Sequence, residues 1–338
     1  MSFTLDGNTW LLMLRGEYCM QNNEHTLAVK PIVLPCDDRY RLRVQRMHEH
    51  TLRAGERTLS CAVGPENGPP LVLFHGVTRC WQDWNPLLSA LTERWQVFAL
   101  DHRGHGKSGR VPPCYRVADF VADAVAFLDG HVPGPAVVLG HSLGAMVAAM
   151  VAAMRPGRVR AVVLEDPPGT TLAEGIGQSR FHLQFSNMVR LLPRAHDVET
   201  LARELADMEV QRPSDGAIVR FGELRDLIAI RFGAECLLQM DPAVLTPLVQ
   251  GRWLEHLDWF GALPKIDCPA LLLRADPMCG GMLTESDATR ITSLIPRCTR
   301  VDLPGVPHSI HSNQPDKMLA LVTHFQETNS LLSPETQP

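Results

Sequence analysis

Val137-Val138-Leu139-Gly140-His141-Ser142-Leu143-Gly144 decides how this chain is read. A β-branched, apolar run leads straight into a Gly-x-Ser-x-Gly frame. Ala145-Met146-Val147-Ala148-Ala149-Met150-Val151 then continues as an apolar stretch of helical composition. Strand, sharp turn and helix in that order lift one hydroxyl out of a sheet. Glycines two positions either side of Ser142 let the backbone bend without a Cβ clash. The helix end beneath the serine offers unpaired N–H groups and a positive dipole to an anion forming there. A bare frame of this kind recurs by chance. The strand before it and the helix after it make it a signature.

Working outward, 338 residues hold one large α/β domain with an insertion, or two small domains. The net charge is −5, and the cationic side chains are scattered and mostly arginine, which argues against a nucleic-acid partner. No apolar stretch approaches the roughly 18 residues of a membrane span. The longest, Leu143 to Met154, stops at Arg155-Pro156-Gly157. Nine cysteines, an odd count, show no Cys-x-x-Cys pair and no His/Cys cluster at zinc-ligand spacing. They read as thiols in a reducing compartment, with neither a disulfide framework nor a metal site. Trp10-Leu11-Leu12-Met13-Leu14 is too short for a signal-peptide core and has no basic residue before it, so a cytoplasmic location is expected.

Residues 1–46 lack sustained periodicity and read as an N-terminal extension, either a poorly ordered leader left by a misassigned start or a real element. From residue 47 the rhythm is regular. His48–Arg53, Arg57–Val63, Leu71–Phe74, Gln96–Leu100, Ala136–Leu139, Ala161–Leu164, Ala270–Leu273 and Thr299–Leu303 read as strands, several continuously apolar as strands buried on both faces are. Val117–Leu128 carries apolar residues at helical spacing. The alternation predicts an α/β fold: a mostly parallel central sheet with helices on both faces. It fails between residues 167 and 263, which are helical in pattern without a convincing buried strand. The expected organisation is a core of residues 47–166 and 264–330 with a helical cap of residues 167–263 over the sheet edge where ligands bind.

Serine is a weak nucleophile until a base takes its proton, and the base needs an orienting carboxylate. His308 follows a strand and the turn Pro304-Gly305-Val306-Pro307, and is the better candidate base. His311, three residues on, reads as a local hydrogen-bonding residue. Two aspartates follow buried strands: Asp276 after Leu271-Leu272-Leu273-Arg274-Ala275, and Asp166 after Val162-Val163-Leu164-Glu165. Either loop can reach His308. Two histidines in Asp101-His102-Arg103-Gly104-His105 lack a carboxylate set at ligand spacing, so no metal is expected there.

The order serine, aspartate, histidine resembles that of α/β-hydrolases. Phe74-His75-Gly76-Val77 resembles that family's His-Gly oxyanion turn, and Asp101–Gly109 its loop after the next strand. The resemblance covers roughly residues 48–330 and implies a capped serine hydrolase fold. It implies an oxyanion hole of the Val77 and Leu143 N–H groups, and favours Asp276 as the acid, where the family most often keeps it, with Asp166 as the alternative. The expected activity is hydrolysis of carboxylic esters or lactones of a small, largely apolar substrate, without cofactor or metal. A carbon–carbon bond hydrolase with the same triad and a non-catalytic small-molecule receptor are the alternatives. Trp81, Phe181 and Phe185 are the expected pocket residues.

Overall fold

The computed structural model describes residues 47–172 and 176–332, so the N-terminal extension expected at residues 1–46 lies outside the described residues. Its ten strands are β1 (His48–Ala54), β2 (Arg57–Val63), β3 (Pro70–Phe74), β4 (Gln96–Asp101), β5 (Ala136–His141), β6 (Val159–Glu165), β7 (Glu209–Gln211), β8 (Ile218–Arg220), β9 (Ala270–Ala275) and β10 (Cys298–Leu303). Eight form one sheet in the order β1-β2-β4-β3-β5-β6-β9-β10. β1 and β2 run antiparallel, and every pairing from β4 to β10 is parallel. The expected mostly parallel α/β-hydrolase sheet is thus present.

The two-residue period of the strands sorts their side chains onto two faces. Leu71, Leu73, Val137, Leu139, Val163, Leu271 and Leu273 pack on one side, against helices Asn85–Leu91 and Pro315–Thr328. Val72, Phe74, Val138, Val162, Leu164 and Leu272 pack on the other, against helices Val117–His131 and Leu143–Met154. Both faces are covered, which is why β5 is buried at all six positions and reads as an unbroken apolar run. Helix Leu143–Met154 is buried from Leu143 to Ala153, because Trp259 of the insertion closes its far side and donates its indole N–H to the Met146 carbonyl at 3.1 Å. A helix enclosed all round needs no polar face, and its sequence has none.

Between β6 and β9 the chain leaves the sheet for helices Arg180–Leu191, Val198–Asp207, Leu227–Gln239, Leu245–Val249 and Trp259–Ala262. Two short strands also lie in this insertion. β7 and β8 form a small antiparallel hairpin that pairs Val210 with Val219. Only Val210 of β7 is buried, and three-residue strands give too little alternation to read from sequence. No helix among the described residues is long and apolar enough to cross a membrane.

Candidate active site

β5, β6, β9 and β10 lie side by side, so the loops after their C-terminal ends open on one edge of the sheet. Ser142 follows β5 at once, with φ +54° and ψ −115°, a conformation that costs an L-residue of order 1–3 kcal/mol. Its N–H donates to the Glu165 carbonyl at 2.9 Å, tying the turn to β6. The turn is this sharp because the following helix lies on the sheet: a Cβ on Gly144 would sit 1.9 Å from the Phe74 carbonyl oxygen.

The facing loop approaches as closely. A Cβ on Gly76 would lie 2.8 Å from His141 Nδ1 and 3.3 Å from Ser142 Cβ. Thr78, just beyond, also has a positive φ, +69°. Leu143 opens the helix, so its N–H is one of the four without an intrahelical acceptor. The Val77 N–H donates to no backbone acceptor among the described residues. Leu143 follows the serine directly, and Val77 belongs to the loop that faces it.

His308 is where the structure departs from the favoured sequence reading. Its Nδ1 stands 2.5 Å from Asp166 Oδ2, whereas Asp276 faces elsewhere. Asp166 is fully buried and has φ +43°. Its carboxylate accepts from the N–H groups of Ala275 at 3.1 Å and Met282 at 2.8 Å. Asp276 instead turns its carboxylate to the N–H groups of Met278 and Gly305, both at 2.8 Å. Those N–H groups hold its carboxyl below the usual aspartate range, the Gly305 bond foremost. Asp276 therefore bolts down the Gly305 turn that leads to His308, and Asp166 is the carboxylate on the imidazole. The physical reason is local. An N-terminal turn of a short helix claims Asp276, while backbone donors and the left-handed conformation of Asp166 aim its side chain at the histidine.

Below this pair lies a second one. His311 is fully buried, with Nδ1 2.9 Å from Glu165 Oε1 and Nε2 3.1 Å from Asp83 Oδ2. Glu165 also accepts the His311 backbone N–H at 2.9 Å, and the Trp84 ring stacks at 4.5 Å. Burial works against a charge on His311, but Glu165 and Asp83 outweigh it and push its pKa up to about 10. Asp83 is correspondingly held below the usual range: burial opposes this, and His311 overrides it. Arg79 adds a guanidinium 3.8 Å from Asp83. His141, whose ring lies 4.5 Å from that of His308, is kept neutral first by burial and then by its histidine neighbours. Asp83, His141 and His311 bring donor atoms within 4.8 Å of one another. The ion pairs among Glu165, His311, Asp83 and Arg79 already balance the charge there.

The consecutive carboxylates Glu165 and Asp166 thus each take one histidine of the His308–His311 segment. Sequence reasoning reached Asp166 as a second choice and missed Glu165 and Asp83 as partners of His311. A signal was present: two acids in succession at the end of a buried strand, and two histidines one helical turn apart.

Two adjoining cavities of about 300 Å³ each flank the site. Thr78, Pro307 and Ser309, neighbours of Val77 and His308, contribute to the first, with Gln184, Leu224 and Arg225 from the insertion. Phe181 lines the second. Phe185 lines neither and is packed in the core. Trp81 lines neither of these two; its indole N–H donates to Glu49 at 2.9 Å and its backbone N–H to Asp101 at 2.8 Å.

Residues 69–272 match the family model of the alpha/beta hydrolase fold. The chain belongs to the α/β-hydrolase family. It is 25% identical over 265 residues to 2-(acetamidomethylene)succinate hydrolase of Mesorhizobium japonicum, covering 77% of this chain and 88% of that one. It is 27% identical over 273 residues to an sn-1-specific diacylglycerol lipase of Mus musculus, covering 76% and 80%. The crystal structure of E-2-(acetamidomethylene)succinate hydrolase superposes with a TM-score of 0.66 at 23% identity, over 83% of this chain and all of that one. At that identity the superposition speaks for the fold alone.

Proposed function

We propose that this α/β-hydrolase cleaves an ester or amide bond of a small molecule, with Ser142 as nucleophile, His308 as general base and Asp166 as the acid that orients it. The observation that carries the reading is the 2.5 Å contact between His308 Nδ1 and the buried, backbone-held carboxylate of Asp166. A carboxylate on Nδ1 fixes that nitrogen as the protonated one and leaves Nε2 to take the serine proton. Ser142 then attacks the carbonyl, and its oxyanion forms between the N–H groups of Val77 and Leu143. A donor of this kind is worth roughly 10²–10³ in rate. His308 returns the proton to the leaving oxygen or nitrogen, and water, activated by the same imidazole, releases the acid from Ser142.

The expectation of carboxylic esters or lactones is widened here. The Mesorhizobium relative is named for a substrate bearing an acetamido group, which supports including amide bonds. The insertion of residues 167–263 acts in this reading as the cap, since Gln184 and Arg225 close over Thr78 and Pro307.

Hydrolysis of p-nitrophenyl esters from acetate to dodecanoate, and of p-nitroacetanilide, by the wild type and Ser142→Ala tests the reading. Loss of roughly 10³-fold or more in kcat/KM with the variant is expected. Turnover that survives in Ser142→Ala removes the serine mechanism. Turnover of neither bond type by the wild type would move the assignment to carbon–carbon cleavage or to a receptor.

A further inference from the structure

Arg79, Arg180 and Arg225 come from three separate stretches of the chain and converge on the two cavities beside the site. Arg79 lines the first, Arg180 the second and Arg225 both. The cavities also share Gln184, Phe221, Leu224 and Pro307, so they form one continuous space next to His308.

What sets Arg180 and Arg225 apart is their poor neutralisation. Arg103, away from the cavities, grips Asp123 through two hydrogen bonds of 2.6 Å, and Arg212, which also lines the second cavity, pairs with Asp215 at 2.9 Å. Arg180 reaches only carbonyl oxygens, those of Pro277 at 3.1 Å and Gly281 at 2.8 Å, and its Nε is buried with no acceptor. Its plane is held over the Phe181 ring at 4.7 Å, a stacking that fixes its direction. Arg225 makes no ion pair among the described residues, and the adjacent Asp226 spends its carboxylate capping a helix at the Ala229 N–H, 2.8 Å away. Arg79 differs from these two: it lies 3.8 Å from Asp83, within the balanced group of Glu165, His311 and Asp83. Burial makes the charge on Arg180 costly, and burial followed by the proximity of Arg79 does the same for Arg225.

A charge held in a cleft without a partner is stabilised when a ligand supplies the counter-charge. The guanidinium fork matches a carboxylate, and low-dielectric walls focus its field. In a chain of net charge −5, such a concentration of positive charge at the site runs against the overall balance. Asp226 is the one acidic residue among the walls of either cavity, and its carboxylate is engaged.

We propose that the substrate is a small dicarboxylate, one carboxylate seated beside Arg225 and the other beside Arg180, with the scissile carbonyl presented to Ser142. The assignment of these anions to a substrate rests on the serine-hydrolase reading; their binding does not. It differs from the largely apolar substrate expected from sequence.

Calorimetric titration of the Ser142→Ala protein with malonate, succinate and glutarate, each against its dimethyl ester, tests this without any turnover. At least one dianion is expected to bind tenfold or more tightly than its diester, with affinity falling as salt rises. Arg180→Gln and Arg225→Gln, checked for folding by circular dichroism and melting, are each expected to weaken that binding tenfold or more. Dianions that bind no better than their diesters, or arginine variants that bind as the parent does, overturn the proposal. The dianion–diester comparison needs no arginine variant, so a variant that fails to fold leaves the test intact. A negative titration beside Ser142-dependent turnover sinks only the dicarboxylate. Ser142-independent turnover beside a positive titration sinks only the mechanism.

Discussion

The ends of β6 and β9 carry the same local pattern, a buried apolar strand running into Asp-Pro, and the fold uses them differently. At the end of β6, Asp166 is fully buried, left-handed in backbone, and in contact with His308 Nδ1. At the end of β9, Asp276 is solvent-accessible, and its carboxylate is spent on the backbone of Met278 and Gly305. The difference lies in where the N–H donors sit. The Ala275 and Met282 donors come from the β9 strand end and the loop after it, so β9 serves the site by holding the acid of its neighbour. An acid at the right strand end is therefore not sufficient. It must also be free of its own loop.

The largest effect that can break this comparison is at Asp166. Asp166→Asn puts an amide where two backbone N–H groups point and offers His308 a donor in place of an acceptor, favouring the wrong tautomer. kcat is expected to fall by roughly 10⁴, as the loss of the acid does in the triad template. Steady-state kinetics on a p-nitrophenyl ester measures it. A loss under tenfold would mean that Asp166 does not act as the proposed acid.

The next effect separates the two carboxylates of β6 from one another. Glu165 and Asp166 each hold a histidine, but only in the upper pair is a side chain partly exposed, His308 at 12%. The lower one is sealed, with side-chain exposure of 0% for both Glu165 and His311. His311→Phe leaves Glu165 and Asp83 buried without their cation, a change that costs roughly 3–5 kcal/mol. A melting temperature lower by about 6–20 °C follows for a domain of this size. The pH dependence has a definite sign. A histidine whose pKa is raised on folding contributes stability fully present below its unfolded value, about 6.5, and lost as the pH rises through about 10. The melting temperature of the wild type should therefore drop between pH 7 and 10 by more than that of His311→Gln. Parallel pH profiles for the two proteins would show that His311 is not held as a cation.

The legibility of the chain follows the same division between local and converging features. Ser142 was readable because everything that defines its turn lies within eight residues, Val137–Gly144, and the sheet because Leu71–Phe74 and Val137–Leu139 are buried on both faces. The choice between Asp166 and Asp276 was not, since the deciding donors at Ala275, Met282 and Gly305 are placed by the tertiary fold. The triad Glu165–His311–Asp83 spans more than two hundred residues of sequence, and each member alone looks like an ordinary polar residue. The cavity arginines are equally scattered, at positions 79, 180 and 225, and sequence saw them only as dispersed charge. Of the expected pocket residues, Phe181 lines one of the two cavities beside the site, while Trp81 hydrogen-bonds Glu49 and Phe185 packs in the core.

The smallest effect sharpens the comparison from the β9 side. Asp276→Asn keeps one acceptor oxygen and loses the other, so one of the two bonds to Met278 and Gly305 goes. A typical hydrogen bond is worth about 0.5–1.5 kcal/mol, and a drop of a few degrees in melting temperature is expected. Because the wild-type carboxyl sits below the usual range, its contribution is present above about pH 4 and lost only as the pH falls through the lowered value. Activity should drop less than about tenfold, through a looser Gly305 turn rather than through a missing charge at His308. Circular dichroism melts and kcat at pH 7, taken together, test both parts. If Asp276→Asn proves as inactive as Asp166→Asn while melting normally, the roles of the two strand ends must be exchanged. If it melts a few degrees lower and still turns over, β9 is the support and β6 the site.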